Sequence, residues 1–158
     1  MLKAIAIDDE PVALEIIKIL AARVDFLLME AYFTSAVGAL SYLTNHAVDL
    51  IFLDIKMPDL SGLDFLRSLS SPPDVIITTA YSEFALEGFE LDAADYLLKP
   101  FSEARFLKAC SKARDNYFFK RGGSEPPFIF VKSGLERVRV ELSNILYLES
   151  VGNYVRFV

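Results

Sequence analysis

Hydrophobic and polar positions fall into short blocks along the first two thirds of the chain, and the blocks switch between two rhythms. Leu2 to Ile7 is an apolar run that ends in Asp8-Asp9-Glu10-Pro11. Proline suits the first turn of a helix, and acids suit its positive end. Ala13, Ile16, Ile17, Leu20, Ala21 and Val24 then recur at helical spacing. Leu28 to Phe33 predicts a second strand, and Ser35 can cap a helix carrying Val37, Leu40 and Leu43. Leu50 to Leu53 is short, apolar throughout and not alternating, which is the pattern of a parallel strand buried on both faces. It ends at Asp54. Pro58 to Gly62 is turn material, and Leu63, Leu66 and Leu69 mark a helix that Ser71-Pro72-Pro73 stops. Asp74 to Thr79 predicts the fourth strand, Ser82 to Phe89 the fourth helix, and Ala94 to Leu98 the fifth strand, which runs into Lys99-Pro100. Ser102 can cap the last helix, with Phe106, Leu107, Cys110, Ala113 and Tyr117 as its buried stripe. Five alternations of strand and helix call for an α/β fold whose parallel sheet is covered on both faces.

After residue 118 the rhythm changes. Lys120 to Pro127 is a linker by composition. Phe128 to Lys132, Arg137 to Glu141, Ile145 to Glu149 and Tyr154 to Val158 read as short strands, with turns at Ser133-Gly134, Ser143-Asn144 and Gly152-Asn153. The expected organisation is therefore a domain over 1–118, a linker over 119–127, and a short all-β segment over 128–158.

Composition narrows the classes. With 158 residues, 53% hydrophobic and 24% charged, the chain can bury a core. It has no run of about twenty apolar residues and no charged-then-apolar leader, so a membrane span or signal peptide is not expected. A single cysteine, Cys110, fits a reducing cytoplasm, and one histidine, His46, leaves no Cys/His zinc set. The net charge of −6 argues against a uniform nucleic-acid-binding surface. The charge is uneven: 10 Lys and Arg stand against 18 Asp and Glu up to Phe118, and 6 against 4 from Phe119 on. An acidic first part and a mildly basic tail point to two units with different partners.

In a parallel sheet the C-terminal strand ends lie on one edge, where ligands bind in open α/β folds. Here those ends carry Asp8-Asp9, Asp54, Thr79 and, after the last strand, Lys99. Asp54 is a nucleophile, a metal ligand or a helix cap on this pattern alone. Singly, Asp8-Asp9 can be plain capping, Lys99 a solvated charge, and Thr79 strand filler. Together they are less easily explained that way. Converging carboxylates repel by roughly 4 kcal/mol per pair at ~4 Å and an effective dielectric of about 20. One lysine and a hard divalent ion, Mg2+, would offset this. Acids, a lysine, a hydroxyl and Mg2+ suit phosphoryl chemistry.

With Asp8-Asp9, Asp54 followed by Pro58 and Gly62, Thr79-Ala80, and Tyr96-x-x-Lys99-Pro100 in place, residues 1 to about 118 resemble the receiver domain of bacterial two-component response regulators. The resemblance implies a flavodoxin-like fold with five strands in the order 2-1-3-4-5 and five helices. It implies that Asp54 accepts a phosphoryl group from a sensor histidine kinase and that Mg2+ is the cofactor. The metal would be held by Asp9 and Asp54 directly, by Asp8 mainly through water, and by the Lys56 backbone carbonyl. Thr79, Ala80, Tyr96 and Lys99 would form the phosphoryl-contacting and switch set. Lys56 and Tyr81 would stand where such domains tune dephosphorylation, and the Lys99-Pro100 bond would be cis. Such a domain is not a conventional enzyme, although it assists its own phosphorylation and dephosphorylation.

The tail resembles the start of a LytTR-type DNA-binding domain in Phe130-Val131-Lys132, Ile145 to Glu149 and Asn153-Tyr154-Val155. That implies a DNA-binding transcriptional output, with Asn153 as a candidate DNA contact. The stretch covers about a third of such a domain, so this chain is expected not to bind DNA specifically by itself. A homodimer is consistent with the resemblance. A receiver working only through protein contacts in a phosphorelay is the alternative, and the basic tail argues against it. An aspartyl-phosphate hydrolase of the haloacid dehalogenase type would need an acid at position 56, where Lys56 stands. A flavin carrier would need a phosphate-cradling loop where Asp8-Asp9 stands.

Overall fold

The structure is a computed structural model, and it describes the chain apart from residues 83–91, 122–127, 134–135, 142–143 and 153. It contains two compact units, Met1–Phe118 and Phe119–Val158. The first holds strands β1 (Leu2–Ile7), β2 (Leu27–Phe33), β3 (Leu50–Leu53), β4 (Asp74–Thr79) and β5 (Asp95–Leu98). Its helices are α1 (Pro11–Ala21), α2 (Ala36–Leu43), α3 (Gly62–Ser68) and α4 (Glu103–Lys120), the last running on past Phe118. Thus four helices are seen among the described residues, where five were expected. The helix expected from Ser82 to Phe89 falls, from residue 83 on, outside them.

All five strands are parallel and lie in the order β2-β1-β3-β4-β5. The two-residue period of a strand sends alternate side chains to opposite faces. Ala4, Ala6, Leu50 and Phe52 pack with Leu14, Ile17, Phe106 and Cys110, so α1 and α4 cover that face. Ile5, Ile7, Ile51 and Leu53 pack with Ala36, Ala39, Leu63 and Phe65, so α2 and α3 cover the other. This is why β3 is apolar at every position: each of its side chains is in a core. Phe52 and Phe106 stack with ring centroids 5.1 Å apart.

The buried stripes differ in detail from those the spacing predicts. In α1 they are Leu14, Ile17 and Ala21, followed by Val24, while Ile16 is exposed. In α2 the sheet is met by the small residues Ala36 and Ala39, and Val37 faces outward. In α4, Leu107 is exposed and Ala109 takes a place in the stripe with Phe106, Cys110 and Ala113. The buried positions 106, 109, 110 and 113 recur at steps of three and four, which lie on one face of the helix, and 107 falls at the margin of that face.

Three helices begin on a serine. The Ser35 hydroxyl accepts from the Gly38 amide at 3.3 Å, Ser61 from Asp64 at 3.1 Å, and Ser102 from Arg105 at 3.2 Å. Helix α1 does not. Its first turn lacks a side-chain cap, and the Asp8 Oδ1 accepts the Glu10 amide at 3.0 Å instead. The acids before Pro11 therefore do something other than capping.

In the second unit, β6 (Phe128–Ser133) pairs antiparallel with β7 (Glu136–Glu141), and β8 (Leu148–Val151) with β9 (Tyr154–Phe157). The third of these strands was expected at Ile145–Glu149. Pairing of Val151 with Tyr154 across Gly152 moves it toward the turn. Gly152 has φ 59°, a conformation that glycine adopts without a Cβ penalty and that tight hairpins require. Asn153, the candidate DNA contact, lies outside the described residues.

Candidate functional site

The ladder of the sheet brings the acids together. The Asp54 amide donates to Ile7 O at 2.9 Å, continuing the pairing of β3 with β1 by one step. The Asp8 amide donates to Phe33 O at 3.0 Å, doing the same between β1 and β2. Asp8 and Asp54 thus leave neighbouring strands at the same edge, at the point where the chain first crosses from one side of β1 to the other. A crevice opens there in folds of this topology. Carboxylate oxygens of Asp8, Asp9 and Asp54 lie within 4.8 Å of one another. Asp8 and Asp54 are buried, and Asp9 is half-buried.

Lys99, at the end of β5, meets them. Its ammonium donates to Asp8 Oδ2 at 2.7 Å and lies 3.7 Å from Glu10 Oε1 and 3.9 Å from Asp54 Oδ2. The remaining oxygens are also engaged. Asp8 Oδ1 holds the Glu10 amide, and Asp54 Oδ1 accepts the Ile55 amide at 2.9 Å. On spacing alone Glu10 is part of a helix start. Its place here follows from the turn that Asp8 makes, which spacing alone does not reveal.

The charges at the site do not balance: the three carboxylates of Asp8, Asp9 and Asp54 face the single ammonium of Lys99. Burial pushes the Asp54 carboxyl up to about 6; Lys99 pulls it down, and Asp8 and Asp9 push it further up. Burial likewise raises Asp8, against the hydrogen bonds from Lys99 and Glu10. Burial works against the Lys99 ammonium, but its bonds to Asp8 and the charge of Asp54 outweigh that and raise its pKa. Carboxylates that burial holds above their ordinary range, with one lysine set against them, lack full counter-charge. An all-oxygen set of this kind fits a hard divalent cation better than a soft one.

Thr79 closes β4 and is fully buried; its hydroxyl accepts the Tyr81 amide at 3.3 Å, and its carbonyl accepts the Lys99 amide at 2.8 Å. Ala80 follows and is exposed. Tyr96 is half-buried among the side chains under α2 and α3, and its hydroxyl donates to Tyr81 O. The exposed Lys56 places its ammonium 3.7 Å from the centroid of the Tyr81 ring. Met57 is buried in the core, and the Lys99–Pro100 peptide is cis.

A sequence profile described as "Response regulator receiver domain" matches residues 4–111. The chain belongs to this family. The receiver is similar to the sensory transduction protein LytT of Bacillus anthracis, with 36% identity over 115 residues, 71% of this chain and 47% of that protein. It is also similar to the transcriptional regulatory protein BtsR of Escherichia coli (strain K12), with 34% identity over 116 residues, 72% of this chain and 48% of BtsR. The chain thus spans about half the length of the curated relatives it matches. Among solved structures it resembles the response regulatory domain of mrkE from Klebsiella pneumoniae, at 31% identity and a TM-score of 0.68 over 73% of this chain and 98% of that one. The BeF3-activated DrrB receiver domain aligns at 25% identity and a TM-score of 0.62, over 73% of this chain and 98% of that one.

Proposed function

We propose that Asp54 is a phosphoacceptor and that its phosphorylation by a sensor histidine kinase switches a DNA-binding transcriptional output. The supporting observation is the position of the Asp54 carboxylate: buried at the tip of β3, 3.9 Å from the Lys99 ammonium, and clustered with Asp8 and Asp9. Oδ1 is held by the Ile55 amide, which leaves Oδ2 to attack. The attack forms an O–P bond and breaks the P–N bond to the kinase histidine, whose ring nitrogen keeps the electron pair. The Lys99 ammonium then has a phosphoryl oxygen to bind in place of the naked carboxylate, and the Thr79 hydroxyl can turn from the Tyr81 amide to donate to another. Asp9 and Asp54, with Asp8 through water and the Lys56 carbonyl, would hold Mg2+, which supplies positive charge against the phosphoryl oxygens.

The added group brings roughly −1.5 to −2 charges and three acceptor oxygens. Thr79 and Lys99 satisfy them by moving inward, and this biases the surface that includes β5, Tyr96 and α4. The group transfer is self-assisted signalling chemistry, not conventional enzyme turnover. The output is carried by a LytTR-type domain beginning near Phe128, in a cytoplasmic protein. The names of the relatives, a sensory transduction protein and a transcriptional regulatory protein, favour this over a phosphorelay shuttle.

Two measurements test the reading. Incubated with acetyl phosphate and Mg2+, the 158-residue chain should gain one phosphoryl group by intact mass, and chelation of the metal should prevent the gain. Absence of any gain at neutral pH, with the protein folded, would remove the phosphoacceptor assignment. For the output, a chain extended through a complete LytTR-type domain should retard particular fragments from a genomic DNA library, and the 158-residue chain should not. Equal, sequence-specific retardation by both would show that the DNA-binding surface has been misplaced.

A further inference from the structure

At Tyr96 the outer edge of β5 is met by side chains. Strand β5 pairs with β4 on its inner side and ends the sheet on the other. A strand residue points its N–H and C=O to the same side, so an edge residue can be left with both unpaired. At Tyr96 both are taken. Its amide donates to Asp95 Oδ1 at 2.9 Å, and its carbonyl accepts Arg105 Nη2 at 2.7 Å. The same guanidinium grips the Asp95 carboxylate with both forks, Nη1 to Oδ2 at 2.7 Å and Nη2 to Oδ1 at 2.9 Å. Lys112, two turns further along the same face of α4, lies 3.9 Å from Asp95 Oδ1. Burial works against the Asp95 carboxylate, but the bonds from Arg105 and the Tyr96 amide outweigh it, and Asp95 stays below the usual carboxylate range. The Asp95 side chain is only 14% exposed, so this pair is better shielded from solvent than a surface bridge.

The chain geometry gives the pair a consequence. Arg105 lies in the first turn of α4, where the Ser102 hydroxyl fixes its amide. Its bond to Tyr96 O therefore closes a loop from 96 to 105, and Lys99 lies within that loop. On the inner side the Lys99 amide is tied to Thr79 O. Resting on the reading of Asp54 as phosphoacceptor, we infer that Asp95 and Arg105 form a clamp that positions Lys99 for phosphoryl transfer. They stand where a sixth strand would stand and hold the backbone of the loop that carries the ammonium. Arg105 is a positioning residue and touches no reacting atom. A lysine cannot replace it, because only the planar fork reaches both carboxylate oxygens and the carbonyl.

The test is a double-mutant cycle on the 158-residue chain, with the initial rate of acetyl phosphate labelling as the readout. Arg105→Ala and Arg105→Lys should each slow labelling about tenfold, since small displacements of a positioning group carry costs of this order. In a Lys99→Ala background the same changes should cost less than about twofold, because the residue through which they act is gone. A purely structural role for Arg105 would carry its full effect into that background, and that result would overturn the inference. So would wild-type rates in Arg105→Lys. Amide hydrogen exchange gives a reading that needs no phosphorylation. Exchange at Tyr96 and Lys99 should quicken in both Arg105 variants while Ile5 in β1 is unchanged. If the wild type takes no phosphoryl group, the phosphoacceptor reading fails, and exchange alone decides the clamp: unchanged protection at Tyr96 and Lys99 ends it.

Discussion

Asp54→Asn should take up no phosphoryl group from acetyl phosphate and should be more stable than the wild type at neutral pH. Both effects have one origin. A carboxylate at the tip of β3 is the nucleophile of the proposed reaction, and it is also a buried charge beside Asp8 and Asp9. Its pKa of about 6 in the folded protein compares with 3.8 for the ordinary side chain. The folded state therefore holds this proton more tightly than the unfolded chain does. Stability from that proton is fully present below pH 3.8 and is lost as pH rises through about 6. Above that range the ionised side chain costs the fold about 3 kcal/mol, at 1.36 kcal/mol per pKa unit. Asparagine keeps the shape and removes the charge. In EDTA at pH 7.5 the variant should melt roughly 10 °C higher than the wild type. The gain should shrink through pH 6 and be nearly gone at pH 4. Mg2+ should stabilise the wild type and do little for the variant, since ligand binding adds stability only where the site is intact. Thermal melts at three pH values, with and without Mg2+, check this. A variant no more stable than the wild type at pH 7.5 would show that the charge of Asp54 is better compensated than its surroundings indicate.

The apolar runs carried most of the fold. β1, β3 and β4 are buried almost throughout, so their sequences have little freedom, and their boundaries were legible within a residue. The convergence of Asp8, Asp54 and Lys99 was legible for a related reason: each follows an apolar run, and parallel strands share an edge. What stayed hidden depends on angles or on partners distant in the chain. Leu107 and Ile16 are as apolar as their neighbours, and only the facing of each helix decides that they are exposed. The acids before Pro11 look like helix capping, yet Asp8 turns to Lys99, 91 residues away. Asp95 and Arg105 read as an ordinary strand end and an ordinary helical charge. Nothing in their ten-residue separation announces that the guanidinium reaches back to the Tyr96 carbonyl. Asp59, in the turn before α3, accepts the Ser35 hydroxyl at 2.8 Å and the Val37 amide at 3.2 Å, a link from that turn to the start of α2 that no local pattern contains.

The turn after Asp54 holds the last of these hidden constraints, and it gives opposite expectations for two glycines. Gly62 opens α3 with its amide on Ile55 O at 2.8 Å. A Cβ there would overlap the Asp54 carbonyl oxygen and stand 3.0 Å from Ile55 Cα and 3.1 Å from Asp54 C. Every one of these neighbours is backbone, so no side chain can rotate away. Gly62→Ala must push the start of α3 off the end of β3 or drag the Asp54 peptide with it. Overpacking against yielding side chains costs 1–3 kcal/mol, and against backbone the cost should be about 3 kcal/mol or more. The displacement falls on the residue that carries the nucleophile, so labelling by acetyl phosphate should slow by about a hundredfold even in the fraction that folds. Gly38, in α2, is the contrast. A Cβ there would meet Phe33 Cδ1 at 3.6 Å and nothing nearer, which is ordinary contact. Gly38→Ala should stabilise the fold by about 0.5–1 kcal/mol, through helix propensity and a less flexible unfolded chain, and should leave labelling unchanged. Paired chemical denaturation and labelling of the two variants decide the matter. If Gly62→Ala gains stability as Gly38→Ala does, then the approach of α3 to the Asp54 backbone is looser than 3 Å contacts permit, and the turn does not fix the nucleophile.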